Sequence, residues 1–536
     1  MQVSVVRARA RRIPVLMGLL MLIGGSAGAV NVARTPEQII QQQCVSCHVK
    51  RPDGSYVRIS EIRATPEGWE LILNRMQRFG RVVLTADQQA AMIKHLADSQ
   101  GLAPEETAPF RYIIEQRPNH MENPPNEELA LICGSCHSYA RAALDRRDAP
   151  EWLKLINFHE GQYPSLEYHS RLRSIEWWKI SSARIYKDLA QRYPFSTTAW
   201  TNWRQHHTAD LSGNWRVYGH QPGVGDYAGT LTVAKSGEDR YTVRWTLKFA
   251  DGKTAEGDGA ALVYTGYEWR GATTLAGKDV RQVLAVAADG QSMNGRWFYR
   301  GSEEVGGDIS AVRVVAGESR VLAVQPSAIR AGSQTQLTIV GTNLSGDISL
   351  GNGIKIVQTV SNTSDEAVVV AEAGADADGL HDVAVGNARG AALLRSYSKV
   401  DSVRIEPDYA IARVGGNGGP LPPVIAQFEA IGYLYGADGK PGGANEVRIG
   451  TIPAKWSVEP FDEVAADLQD VKFAGQIDDN GTFTPAGAGP NPARRFGTDN
   501  TGNLKVVATL GSSADALKAT GHLVVTVQRW VDAPLR

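Results

Sequence analysis

The sequence predicts a multidomain chain, α-helical at its N-terminal end and all-β beyond it. Length is the first reason: 536 residues exceed what one hydrophobic core organises, so several domains are expected. The second is a change of period. Before about residue 207, apolar residues recur at helical spacing; from about Leu211 they alternate with polar residues in segments dense in Gly, Thr and Val, broken by Asp-Gly and Asn-Gly turns. The third is an internal repeat within the helical part. The expected division is a leader over 1–29, a helical domain over 30–207 made of two units (about 30–100 and 120–207), an antiparallel β-barrel over 208–317, and two further β-domains over 318–400 and 401–536.

In order along the chain, Arg7, Arg9, Arg11 and Arg12 precede a short apolar run, Ile13 to Ile23, and then Ala27-Gly28-Ala29. That is the pattern of a cleaved export signal. The apolar run is too short to span a bilayer comfortably, and no later run is longer, so no membrane span is expected in the mature chain. Helix starts follow at Thr35-Pro36-Glu37, Thr65-Pro66-Glu67, Thr85-Ala-Asp-Gln88 and Asn126-Glu127-Glu128, each with a capping residue ahead of a first-turn acid or Gln. Gly101 to Pro125, rich in proline and weakly periodic, reads as the connection between the two units. After the second unit a longer helical tract is expected, Arg171 to Arg192, holding Trp177 and Trp178.

The chemistry lies in Cys44-Val-Ser-Cys47-His48 and Cys133-Gly-Ser-Cys136-His137, which use all four cysteines of the chain. CxxCH is the attachment pattern of c-type haem: two thiols form thioethers with the porphyrin vinyls, and the adjacent His binds the iron. A zinc or redox CxxC would need neither the His after each pair nor the second copy. Two covalent haem c groups are therefore expected, on Cys44 and Cys47 with His48, and on Cys133 and Cys136 with His137. Export to the periplasm agrees, because bacterial c-type haem is attached outside the cytoplasm.

Each motif is followed by a matching segment. Trp69, Ile72 and Leu73 recur as Trp152, Leu155 and Ile156, and seven residues after each Trp stands an iron-binding type, Met76 in one unit and His159 in the other. Positions i, i+3, i+4 and i+7 share one helix face, so each helix would lay an apolar stripe on a porphyrin and end it with a distal ligand. Met92 and Met121 compete with Met76; His120, His169, His206 and His207 compete with His159. A crossed arrangement, in which each helix serves the other unit's haem, also remains open.

In the β-rich half, Ser212 to Trp215, Tyr227 to Val233, Tyr241 to Phe249 and Asn294 to Tyr299 read as strands of an up-and-down barrel whose interior Trp215, Trp245 and Trp297 fill. His220 and Asp226 are taken as ordinary surface groups. Val321 to Leu344 resembles the opening of an immunoglobulin-like domain of the transcription-factor-associated kind, with His381 to Val385 a late strand. A final immunoglobulin-like unit begins near Val403, with loops at Gly415 to Pro423 and Ala486 to Pro492 and a last strand over Leu523 to Trp530.

With these motifs in that domain order, the chain resembles the α-subunit of bacterial quinohemoprotein amine dehydrogenase. The resemblance implies an αβγ heterotrimer with a β-propeller subunit and a small subunit carrying cysteine tryptophylquinone, which oxidises primary amines to aldehyde and ammonia. It implies that this chain passes electrons to an external cytochrome c or blue copper protein. A cysteine-derived quinone needs a spare cysteine, and both motifs consume all four, so no catalytic residue is expected on this chain. A near balance of charge, −1 overall, and the lack of a basic tract exclude a nucleic-acid partner. A cytochrome subunit of another periplasmic dehydrogenase, a dihaem peroxidase and a non-enzymatic electron carrier remain as alternatives.

Overall fold

Two copies of one strand–helix unit organise the helical part. The computed structural model describes residues 34–168, 175–206, 209–419, 421–436, 438–443, 445–511 and 516–528; the leader, His169 and His207 lie outside them. Helix α1 (Pro36–Gln43) opens on a capping box, with the Thr35 hydroxyl accepting from the Gln38 N–H and the Gln38 side chain accepting from the Thr35 N–H. Strand β1 (Ile62–Ala64) then runs straight into α2 (Pro66–Phe79), capped by Thr65, and α3 (Ala86–Gln100) begins on a second capping box at Thr85. Strand β2 (Asp145–Arg147) repeats β1, and the helix after it (Ala149–Gln162), capped by Asp148, repeats α2.

The connection at 101–125 is more structured than its composition suggests. It carries α4 (Pro104–Thr107), a 3-10 turn and α5 (Arg111–Ile114), and it buries Glu106 and Glu115. Beyond it lie α6 (Glu127–Gly134) and α7 (Ala140–Ala143), then the repeat helix, hereafter α8. The expected later tract is helical from Trp177 to Arg192 with a π turn at Ser181–Ile185; its first residues, 171–174, lie outside the described set. Among the described residues no helix is long and apolar enough to cross a membrane.

From Gly213 to Arg313 eight antiparallel strands form a closed up-and-down barrel, shut by pairing of its first and last strands from Asp308↔His220 to Arg313↔Trp215. Its interior is packed with Trp215, Trp245, Trp269 and Trp297 among Tyr227, Tyr241 and Tyr267. Close approach demands glycine here: a Cβ at Gly257 would stand 1.8 Å from the Thr274 carbonyl, which accepts the Trp245 indole N–H at 2.8 Å. The next strands, from Arg320 to Tyr397, join one sheet around a core of Leu337, Ile339, Val369 and Leu394.

The last unit sets three small sheets around Phe428, Phe483 and Leu504. Two features there differ from expectation. Short helices at Glu463–Asp467 and Asp470–Phe473 interrupt the β-pattern, with Asp470 buried against Arg494. The final strand runs Leu517–Thr526, earlier than Leu523 to Trp530, and Trp530 is outside the described residues. A further correction concerns His220 and Asp226, which are not isolated surface groups. His220 is held between Asp226 and Glu429, bridging the barrel to the last unit.

Candidate functional site

Both CxxCH motifs stand where a helix ends. Cys44 caps α1, and its carbonyl accepts the N–H groups of Cys47 (3.1 Å) and His48 (2.8 Å), winding the motif into a turn. Cys133 lies in the last turn of α6. All four thiols are free of disulfides. Burial pushes the Cys44 and Cys136 thiols up and the Cys133 thiol up to about 12, so none of these three is a poised thiolate of the redox kind.

The histidines are set for a metal. The Nδ1 of His48 hydrogen-bonds to the Val57 carbonyl at 2.9 Å, that of His137 to Ser138 at 2.8 Å and that of His159 to Leu155 at 2.8 Å. A carbonyl only accepts, so the proton sits on Nδ1 in all three and Nε2 keeps its lone pair, the form that binds iron. Burial also favours the neutral form of two of them: His137 lies below its usual range, and His159 is pushed down to about 4 by burial, with His137, Arg75 and Arg147 acting in the same sense. His159 is therefore in the field of His137, the CxxCH histidine of its own unit.

The remaining candidates separate by position. Met76 is half-buried and stands outside the packed cluster of Trp69, Leu73, Met92 and Leu96. Met92 is 2% exposed within that cluster, and Met121 is 64% exposed. His120 stacks on Tyr112 (3.8 Å between ring centres) and His206 on Trp203 (4.8 Å), both at the surface.

The two units are related by a local two-fold axis. Each repeat element begins 83 residues after its counterpart (Ile62 and Asp145; Pro66 and Ala149), and β1 pairs with β2 antiparallel so that Arg63 faces its own equivalent, Arg146. Both guanidiniums close on one buried carboxylate, Glu106: Arg63 donates twice at 2.9 Å and Arg146 at 3.1 Å. The second contact across the axis is Arg75 over the ring of its equivalent, Phe158, at 5.4 Å, flanked by Phe79 edge-on to Phe158 at 6.2 Å. Met76 and His159 directly follow these two residues, so these two candidates lie on the adjoining ends of α2 and α8.

The residues present fit haem. Two thiol pairs, proximal imidazoles with the correct tautomer and a thioether or imidazole on the facing helix make a donor set suited to iron in porphyrin. In the second unit, Trp152 Nε1 and Arg147 Nε are buried without an acceptor among the described residues. Among those residues no three His, Cys, Asp or Glu groups converge to hold a bare metal ion. The sequence pattern located the eight candidate residues; it missed Arg63, Glu106, Arg146 and Arg75, whose roles depend on contacts distant in sequence.

Comparison with known families matches four consecutive segments. Residues 34–200 match "Quinohemoprotein amine dehydrogenase A, alpha subunit, haem binding". Residues 208–314, 318–398 and 403–535 match "Quinohemoprotein amine dehydrogenase, alpha subunit" domains II, III and IV. No curated protein matches. Among solved structures, a redesigned β-barrel, mFAP1, bound to DFHBI is 13% identical, covering 19% of this chain and 94% of that one at a TM-score of 0.17. A de novo designed fluorescence-activating β-barrel is 22% identical, covering 19% and 92% at 0.17. A SusE-like surface located polysaccharide binding protein from Bacteroides thetaiotaomicron is 11% identical, covering 58% and 53% at 0.13. At such scores these likenesses say nothing further about the chain.

Proposed function

The chain belongs to the α-subunit family of quinohemoprotein amine dehydrogenase, an oxidoreductase, and from that premise we propose that it is the dihaem electron-transfer subunit of such an enzyme. Electrons released when a primary amine is oxidised at a cysteine tryptophylquinone on a partner subunit enter its haems. They leave to an external cytochrome c or blue copper protein. The observation that carries this reading is the doubled site: two CxxCH turns, each with a ligand-bearing helix, adjoining across a local two-fold axis.

The chain's own residues then have defined tasks. Cys44 and Cys47 would hold one haem and Cys133 and Cys136 the other. His48 and His137 would bind iron through Nε2, oriented by Val57 and Ser138. Met76 would complete the first site and His159 the second. Haem iron supplies one-electron chemistry when bound; axial ligand, burial and hydrogen bonding around it set the potential. The contacts of Arg75 and Phe79 with Phe158 join the ends of the two helices between the sites. The periplasm and the heterotrimer with propeller and quinone-bearing subunits complete the proposal, with the leader over 1–29 as its address.

The test is stopped-flow absorbance at the haem bands after addition of butylamine or phenethylamine. Reduction is expected in the intact complex and not in the isolated chain. Haem reduction by the partner-free chain would sink the assignment, because every cysteine here is committed to a motif and none remains to build a quinone.

A further inference from the structure

Resting on the haem assignment above, we propose that Arg75, Arg147 and the indole of Trp152 clamp the propionates of the second haem, so that a residue on the first unit's ligand helix tunes the second unit's potential.

The first observation is a break in the repeat. Trp69 and Trp152 are equivalent, and each is 1% exposed. Trp69 donates its indole N–H to the Gln100 carbonyl at 3.2 Å, whereas Trp152 has no acceptor among the described residues. Beside it Arg147, 3% exposed, spends Nη2 on Asp145 at 3.1 Å but leaves Nε unpaired; its guanidinium stands 5.9 Å from the centre of the Trp152 ring. Two buried donors, adjacent and unmet, are costly to leave so and mark the place of an acceptor.

The second observation is charge. Arg75 leaves α2, lies over the ring of Phe158 and makes no hydrogen bond among the described residues. The charged groups acting on it are Asp145, Arg147 and Arg141, all of the second unit. Arg75 thus stands over Phe158, the residue before His159, and both His137 and His159 feel its charge. A haem held by this unit would bring two carboxylates, which would supply the acceptor that Trp152 and Arg147 lack and a counter-charge for Arg75. Placement agrees, since Trp152 and His159 share a face of α8 and are separated by about 10 Å along its axis. That is the span over which a porphyrin carries its acid edge away from the iron. The first unit needs no such clamp at this position, because Ala64 stands where the second has Arg147.

The experiment uses the intact complex with Trp152→Phe, Arg75→Gln and Arg75→Lys, measuring haem content by pyridine haemochrome and each haem's potential by spectroelectrochemistry, with the two irons distinguished by electron paramagnetic resonance. Removing a donor or a positive charge beside the propionates favours the ferric state. Trp152→Phe and Arg75→Gln are therefore expected to keep two haems and lower the second potential. The reduced-to-oxidised ratio should fall roughly tenfold, about 59 mV for one electron, while the first haem stays put and Arg75→Lys restores the second. An unmoved second potential, or equal shifts at both haems, overturns the clamp. If Trp152→Phe sheds its haem, Trp69→Phe decides: loss in both variants is a packing effect and overturns the proposal, and loss at Trp152 alone supports it. A wild-type complex with fewer than two haems per chain would instead refute the underlying cofactor reading.

Discussion

Met76 and His159 occupy the same place in two copies of one unit, and their difference should set the two irons apart. A thioether favours ferrous iron and raises the potential relative to a second imidazole. Met76→Ala is expected to abolish the weak near-infrared Met–Fe(III) charge-transfer band while leaving haem content unchanged. Persistence of that band would move the ligand elsewhere, and with Met92 inside the packed cluster and Met121 at the surface, neither is positioned as Met76 is. His159→Ala is expected to convert one haem from low to high spin by electron paramagnetic resonance. If His169→Ala did so and His159→Ala did not, the correspondence between the units would be accidental. These candidates were legible in the sequence because CxxCH and the Trp-to-ligand spacing are local: seven residues on one helix fix a face whatever that helix later packs against. Arg75 was not legible. What sets it apart from a surface arginine is its surroundings in the second unit, above all its contact with Phe158, 83 residues away.

Helix ends were readable for the same reason. Thr35, Thr65, Thr85 and Asn126 cap the helices they were expected to cap, since a capping side chain bonds to a backbone three residues on. The segment 101–125 shows where local reading stops. By composition it is a connection, yet Glu106 is the carboxylate on which the pseudo-equivalent Arg63 and Arg146 close, with Thr197 donating to it at 3.0 Å. Burial works against its charge, but Arg63 and Arg146 outweigh burial and hold the Glu106 carboxyl below its usual range. Glu106→Gln should leave two buried guanidiniums undercompensated and destabilise the haem domain by about 3–5 kcal/mol. Denaturant unfolding followed by Soret circular dichroism checks this. A depressed carboxylate stabilises the fold fully above its unfolded value of 4.5 and ceases to do so as pH falls through its folded value. The gap between wild type and Glu106→Gln should thus be widest above pH 4.5 and close in acid; a gap independent of pH would mean that lost packing is responsible.

At the scale of the whole molecule the barrel is the piece that touches everything else. Arg270 reaches Glu67 at the start of α2 (2.6 Å), Tyr267 meets Thr107 (2.8 Å), Lys248 meets Glu366 in the third unit (2.7 Å), and His220 meets Glu429 in the last (2.7 Å). Its tryptophan-filled interior suits a rigid platform, and the contacts through Arg270, Lys248 and His220, with that of Tyr267 from the core itself, tie the haem units and the two β-units to it. The link through His220 is the most exposed to pH. Its Nδ1 faces Asp226 and its Nε2 faces Glu429, each at 2.7 Å, and two carboxylate acceptors require both ring nitrogens to be protonated. Burial opposes that charge, but the hydrogen bonds to Asp226 and Glu429 prevail and push the imidazole up to about 10. For a group whose folded value is raised, the contribution is complete below the unfolded value of 6.5 and disappears as pH rises through the folded one. Thermal unfolding of wild type should therefore exceed that of His220→Gln by its full margin below pH 6.5, with the two converging as pH passes about 10. Hydrogen exchange should place the loss at the seam between the strand Gly213–Gln221 and the strand Glu429–Leu434. A margin that persists unchanged to pH 11 would mean that the imidazole acts there by shape, and that the barrel and the last unit are held together by their apolar contacts alone.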